Sequence, residues 1–211
     1  MSTENITDEQ SDSFRELGNI GAAHAATTLS TMLSATVGIE IPSITHVGLG
    51  EMHKHLDTGL VAHVIFQIQG DVHSGGYVIL HIPKESAVKL TNLMVGSGEP
   101  SPDRELTEMD YSAIDEIGNI MISAFLDACA KLLDLVLLPS PPTSIYDMPH
   151  AVMQSVLTTL PGIEDIDEIM LFKTDLVCSE HHIDTNIILL PSKETLNLML
   201  ERLDRLLSGE M

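Results

Sequence analysis

The chain repeats itself. Residues 12–34, DSFRELGNIGAAHAATTLSTMLS, align without a gap on residues 112–134, SAIDEIGNIMISAFLDACAKLLD, at an offset of 100. Glu16 meets Glu116, Gly18 meets Gly118, Asn19 meets Asn119 and Ile20 meets Ile120, and the same offset carries Pro42 onto Pro142. A second echo joins Ile82-Pro83-Lys84-Glu85 to Leu190-Pro191-Ser192-Lys193-Glu194: each time a strand-like run ends at proline and an amphipathic segment follows. Internal repetition on this scale restricts the fold more than any composition does. It implies two copies of one unit, helix, strand, hairpin, helix, at about 10–95 and 107–207. Residues 96–106, GSGEPSPDREL, are rich in Gly, Pro and Ser and read as the linker between them.

Periodicity supports that order. Phe14, Leu17, Gly21, Ala25, Thr28 or Leu29, and Met32 recur every three to four residues, as do Ile114, Ile117, Met121, Phe125, Ala128 and Leu132. Such spacing makes one apolar face of a helix. Thr7 and Thr107 are expected N-caps, the latter with an acid, Asp110, at the third helical position. Residues 59–69, GLVAHVIFQIQ, alternate in strand period, and residues 76–82, GYVILHI, are the expected hairpin partner across a turn at Asp71–Gly75. EIMLFKTDLVC and NIILL play these parts in the second copy. The expected fold class is α+β: a pseudo-twofold duplicated unit, with a central, mostly antiparallel β-sheet flanked by long helices, in one domain over residues 1–211.

Composition excludes several functions. Lys and Arg number 10 against 31 Asp and Glu, a formal net charge of -21. Nucleic acids and anionic membranes are bound by clustered cations, so neither is an expected partner. Nowhere is there a run of about eighteen uncharged apolar residues, so no membrane span is expected. The opening MSTENITDEQ lacks the basic start and apolar run of a secretion signal. Two cysteines, Cys129 and Cys178, make no disulfide framework, and both are expected as buried thiols. A cytoplasmic location follows. The histidines have no HxxxH or HExxH spacing; His63, His73 and His81 are spread over the predicted hairpin, and His53 and His55 flank Lys54 in a loop. No metal site is expected. The methionines serve as core filler. There is no GxSxG or GKS pattern, which leaves serine hydrolysis and nucleotide binding without support.

What remains is polar. Glu16 and Asn19, like Glu116 and Asn119, stand three residues apart and so share a helix face. One turn earlier lie Asp12 and Ser112, giving [DS]-x3-E-x2-N twice, off the apolar stripe. This row is expected to face solvent or a partner. Glutamate beside asparagine is a poor nucleophile pair, because no base activates either group. A carboxylate can instead grip a lysine ammonium, and a carboxamide can hold a water in line for attack. That combination suits hydrolysis of a phosphoryl group presented by another protein, a reaction in which positioning supplies most of the catalysis. Gly18 and Gly118 each interrupt a helix, where glycine costs about 0.5–1 kcal/mol relative to alanine. Their repetition beside the asparagines points to a close approach, either by a partner or by a packed neighbour.

With Asp12, Glu16, Asn19 and Ser112, Glu116, Asn119 set in ELGNIGAAHAATTLSTML and DEIGNIMISAFLDACAKL, the sequence resembles the CheC/CheX/FliY family of chemotaxis phosphatases, its CheC-type members most of all. The resemblance covers both copies. It implies hydrolysis of the aspartyl phosphate of a CheY-type response regulator. Asn19 and Asn119 would orient the attacking water, and Glu16 and Glu116 would pair with the receiver's lysine, with Asp12 and Ser112 in support. It implies that Mg²⁺ comes with the receiver and that the chain has no cofactor of its own. The deamidase CheD is a further implied partner. Ala23-His24 departs from the family's Gly-Asn, a turn past Asn19, and could crowd the first site. The alternatives are a non-catalytic adaptor for CheD or phosphorylated CheY, and a structural part of a flagellar or archaellar switch.

Overall fold

The computed structural model describes residues 7–40, 42–48, 59–72, 75–95, 104–158 and 168–208. In chain order the elements are α1 (Asp8–Leu33), β1 (Gly38–Ile39), β2 (Ser43–Gly48), β3 (Val61–Gly70), β4 (Gly76–Pro83), α2 (Lys84–Val95), α3 (Glu108–Leu133), β5 (Leu137–Pro139), β6 (Thr143–Asp147), α4 (Pro149–Thr158), β7 (Glu168–Cys178), β8 (Ile183–Pro191) and α5 (Lys193–Ser208). Most of the 96–106 linker lies outside the described residues.

The two long helices begin and end at equivalent positions because the same local chemistry recurs. Thr7 and Thr107 each accept from the amide of the third helical residue, while Gln10 and Asp110 reach back to the cap amide. Such a cap is worth about 1 kcal/mol. At the other end Ser34 and Asp134 turn left-handed, with φ of 51° and 50°, and their amides bond back to Ser30 and Ala130. Arg104 ties the linker's end to both neighbouring helices: it donates to Asp110 at 2.6 and 2.7 Å and to Asn92 at 3.0 Å. The guanidinium holds the Asp110 carboxyl well below the usual carboxylate range.

All strands join one antiparallel sheet in the order β1-β7-β8-β4-β3-β5, with β2 also on β7 and β6 also on β3. The order is symmetric about its centre, where β4 meets its counterpart β8 with Ile79 opposite Ile188. The copies are therefore interlocked. The short strands after α1 pair with the second copy's β7, and those after α3 pair with the first copy's β3. The helices cross over too. Phe14 of α1 stacks on Phe172 of β7 with ring centroids 5.0 Å apart, while Gly118 of α3 lies on Val64 of β3.

Leu17, Ala22, Leu29, Val64, Phe66, Ile114, Ile117 and Met121 form the main core between the helices and the sheet. Fully burying side chains of this size gives roughly 1.5–3 kcal/mol each. The strand expected at 59–69 is β3, but its alternation does not mark one wet face: Val61 to Phe66 are all buried. The reason is α4, which the sequence reading did not anticipate. Its Val152 and Val156 close a second, smaller core with Val47, Ile65, Ile79, Leu171 and Ile188 on the opposite face of the sheet. Proline at its first helical position is well placed, since that amide needs no helical acceptor.

Candidate active site

The polar row is displayed as the spacing requires. Phe14, Leu17 and Gly21 turn one face of α1 inward, and Ile114, Ile117 and Met121 do so for α3. At about 100° per residue this leaves Glu16 with Asn19, and Glu116 with Asn119, on the outer flank. Glu16, Glu116 and Asn119 are exposed and Asn19 is half-buried. Among the described residues, none of these four side chains makes a hydrogen bond or ion pair within the chain. Their donors and acceptors remain free for a partner.

The supporting positions differ. Asp12 accepts from Arg15 at 2.7 Å, forming an exposed ion pair on α1. Ser112 turns its hydroxyl back to the Glu108 carbonyl at 3.0 Å, so that proton is already committed. Where α1 carries Arg15, α3 carries Asp115, which accepts from the Ser144 hydroxyl of β6.

Two points left open by the sequence are narrowed here. The close approach at Gly118 is explained within the chain. A Cβ on Gly118 would come within 2.9 Å of Val64, and one on Gly18 within 3.4 Å of Pro42. The close neighbour of Gly118 is the sheet, whereas the contact of Gly18 with Pro42 is an ordinary one. His24 is exposed, but it sits about 140° around the helix from Asn19 at 100° per residue, so it does not crowd that amide.

The histidines were not merely spread over the hairpin. His63 and His81 are direct cross-strand partners, with His81 Nδ1 3.1 Å from His63 Nε2. Both are buried on the face opposite α1 and α3. Among the described residues, no group of three or more His, Cys, Asp or Glu side chains is arranged to hold a metal ion. His53, His55 and His73 lie outside the described residues. Cys129 and Cys178 are free and buried, and burial pushes the Cys129 thiol up to about 12. No helix among the described residues is long and apolar enough to cross a membrane.

One feature of the site escaped the sequence reading. Met109 is 64% exposed and Ile120 36%. Counting from Met109, Glu116 is seven residues on and Ile120 eleven, so the three lie along the helix within a span of about 40°. Apolar residues at i and i+11 around the acid were the signal in the sequence.

The comparisons agree with this architecture. The CheC-like family pattern matches residues 10–46 and 109–146, which contain both rows. The CheY-P phosphatase CheC of Bacillus subtilis (strain 168) is 30% identical over 165 residues, 75% of this chain and 76% of that protein. The crystal structure of Thermotoga maritima FliY superposes with a TM-score of 0.74 at 21% identity, over 95% of this chain and 98% of that one. A chain from the CheX-CheY-BeF3-Mg²⁺ complex of Borrelia burgdorferi gives a TM-score of 0.57 at 17% identity, over 83% and 97%. These two likenesses establish a shared fold. The identity to the Bacillus protein goes further: this chain belongs to the CheC-like family.

Proposed function

We propose that the chain is a protein phosphatase that hydrolyses the aspartyl phosphate of a CheY-type response regulator in chemotaxis signalling. The observation that carries this reading is the pair of free Glu/Asn rows, one on each long helix, in a chain whose Bacillus relative is a CheY-P phosphatase.

An acyl phosphate needs a water placed opposite its leaving carboxylate. The carboxamide of Asn19 or Asn119 accepts from that water through its oxygen and donates to a phosphoryl oxygen through its nitrogen. Water's oxygen bonds to phosphorus as the bond to the aspartate oxygen breaks, releasing phosphate and a free aspartate. Glu16 or Glu116 holds the receiver's lysine and so fixes the approach of the two proteins. Orientation of this kind is worth several powers of ten in rate. On this reading Mg²⁺ arrives with the receiver, and the reaction takes place in the cytoplasm.

The test is to mix the chain with Mg²⁺ and labelled phosphoreceiver and follow loss of label. Wild type accelerates the loss, and Asn19→Ala with Asn119→Ala abolishes the acceleration. Unchanged turnover in the double variant would overturn the mechanism. Tight binding without any acceleration by wild type would mark an adaptor instead. Adding CheD to the same mixture tests the second partner that the family resemblance implies.

A further inference from the structure

The duplication places the same acid and amide on both helices but surrounds them differently. Both helices end the row in an isoleucine, Ile20 and Ile120, but on α3 the exposed Met109 stands at its other end. At the place of Met109, α1 has Glu9, which is exposed and acidic. The adjoining helices diverge in the same sense. Beside the start of α3, Arg104 joins Asp110 to Asn92 of α2, and α2 ends in exposed Leu93, Met94 and Val95. Beside the start of α1, Gln10 bonds to Asp204 of α5 at 3.3 Å. Both α2 and α5 open on Lys-Glu, so Leu93 and Val95 correspond to Arg202 and Asp204. One site has an apolar border and its twin a charged one.

Building on the proposed receiver chemistry, we propose that Met109 docks the phosphorylated receiver beside Glu116, making the α3 face its stronger site and the α1 face, with Glu9 in that place, its weaker one. The occupant is the receiver because Met109 borders the very row that must meet the phosphoaspartate. Anything seated on Asn119 covers its next-door neighbour Ile120. Glu9, which α1 has in the place of Met109, offers a desolvating partner no such return. A carboxylate at an interface costs affinity unless it finds a cation.

The experiment measures binding of a beryllofluoride-activated receiver to the full chain by titration calorimetry, beside the label-loss assay. Fully burying a methionine is worth roughly ten- to a hundredfold in affinity. Met109→Glu is therefore expected to weaken the tighter binding phase about tenfold, and Glu9→Met to strengthen the weaker phase. Both sites of substitution are exposed, and glutamate in the first turn favours the helix dipole, so loss of fold does not mimic the result. Unchanged binding by both variants, with normal Asn-dependent turnover, overturns this inference and leaves the phosphatase reading intact. Turnover that persists without either asparagine overturns the phosphatase reading itself. If Met109→Glu instead converts a dimer of this chain to monomer with receiver affinity unchanged, the apolar border serves self-association and the inference falls.

Discussion

His81 Nδ1 and His63 Nε2 meet at 3.1 Å across β3 and β4, with both rings buried. One nitrogen must donate and the other accept, so the two rings cannot both be protonated and keep this contact. Burial, and then the neighbouring His81, pushes the His63 pKa down to about 3. The unfolded chain binds this proton near the ordinary value of about 6.5. Below that value the unfolded state takes up the proton and the folded state does not. Stability from His63 is thus complete above about pH 6.5 and is lost progressively as pH falls towards about 3. Unfolding free energies from urea titrations at about pH 7 and pH 5 should differ by about 2 kcal/mol through this residue alone. His63→Gln should flatten that part of the slope; an equally steep slope in the variant refutes the assignment.

The sequence displayed the architecture but not the crossing of its halves. Helix limits were legible because Thr7 and Thr107 carry their caps in plain view, and the first hairpin because β3 and β4 are rich in Val and Ile. Nothing local tells β5 that its partner is β3, since pairing between distant strands is decided by the sheet as a whole. The buried outer face was hidden for a related reason. Ile65 and Ile79 look like ordinary strand residues until α4 supplies Val152 and Val156 to cover them. At the candidate site, exposure of the Glu/Asn rows followed from the position of the apolar stripe alone. The inequality of the rows did not, because the exposure of Met109 is set by how the folded helix packs.

Gly21 illustrates packing that tolerates no addition. A Cβ there would lie 2.7 Å from the Phe125 ring and 2.9 Å from Cys129 Sγ, both buried on α3. Alanine gains up to about 1 kcal/mol in helix propensity. Overpacking in a closed core costs typically 1–3 kcal/mol. Gly21→Ala should therefore lower stability by about 1 kcal/mol in chemical denaturation. Pairing it with Phe125→Leu should recover part of the loss. Stabilisation by Gly21→Ala alone would mean that the helices separate more easily than this contact implies.

Charge reversal separates docking from water placement. Glu16→Lys with Glu116→Lys sets two ammonium groups against the receiver's lysine, so KM should rise steeply. Removing the amides should act on kcat, since loss of one well-placed polar group costs about a hundredfold or more. Asn119→Ala should remove more of the turnover than Asn19→Ala, because the α3 face is the better docked. Steady-state rates over a range of phosphoreceiver concentrations read both effects. A rise in KM alone for the asparagine variants would contradict the proposed water placement.

Salt should stabilise this chain, and the sign follows from opposing effects. Exposed ion pairs such as Arg15–Asp12 and Arg205–Glu201 lose strength as salt rises, but each is worth only about 0–1 kcal/mol. Against them stands a net charge of -21, with 31 Asp and Glu to 10 Lys and Arg, so most carboxylates have no cation to pair with. Compaction brings those charges together and self-repulsion opposes it. Raising the salt from about 0.1 M to 1 M shortens the screening length from about 10 Å to about 3 Å, below the spacing of most neighbouring surface charges. Repulsion, the larger effect, is therefore the one that fades. The melting temperature should climb by roughly 5–10 °C, equivalent to about 2–3 kcal/mol in a domain of this size. Sodium chloride is the proper reagent, since sulfate strengthens apolar burial in any protein. A melting temperature that falls with added chloride would show that ion pairs outweigh the surplus of acid.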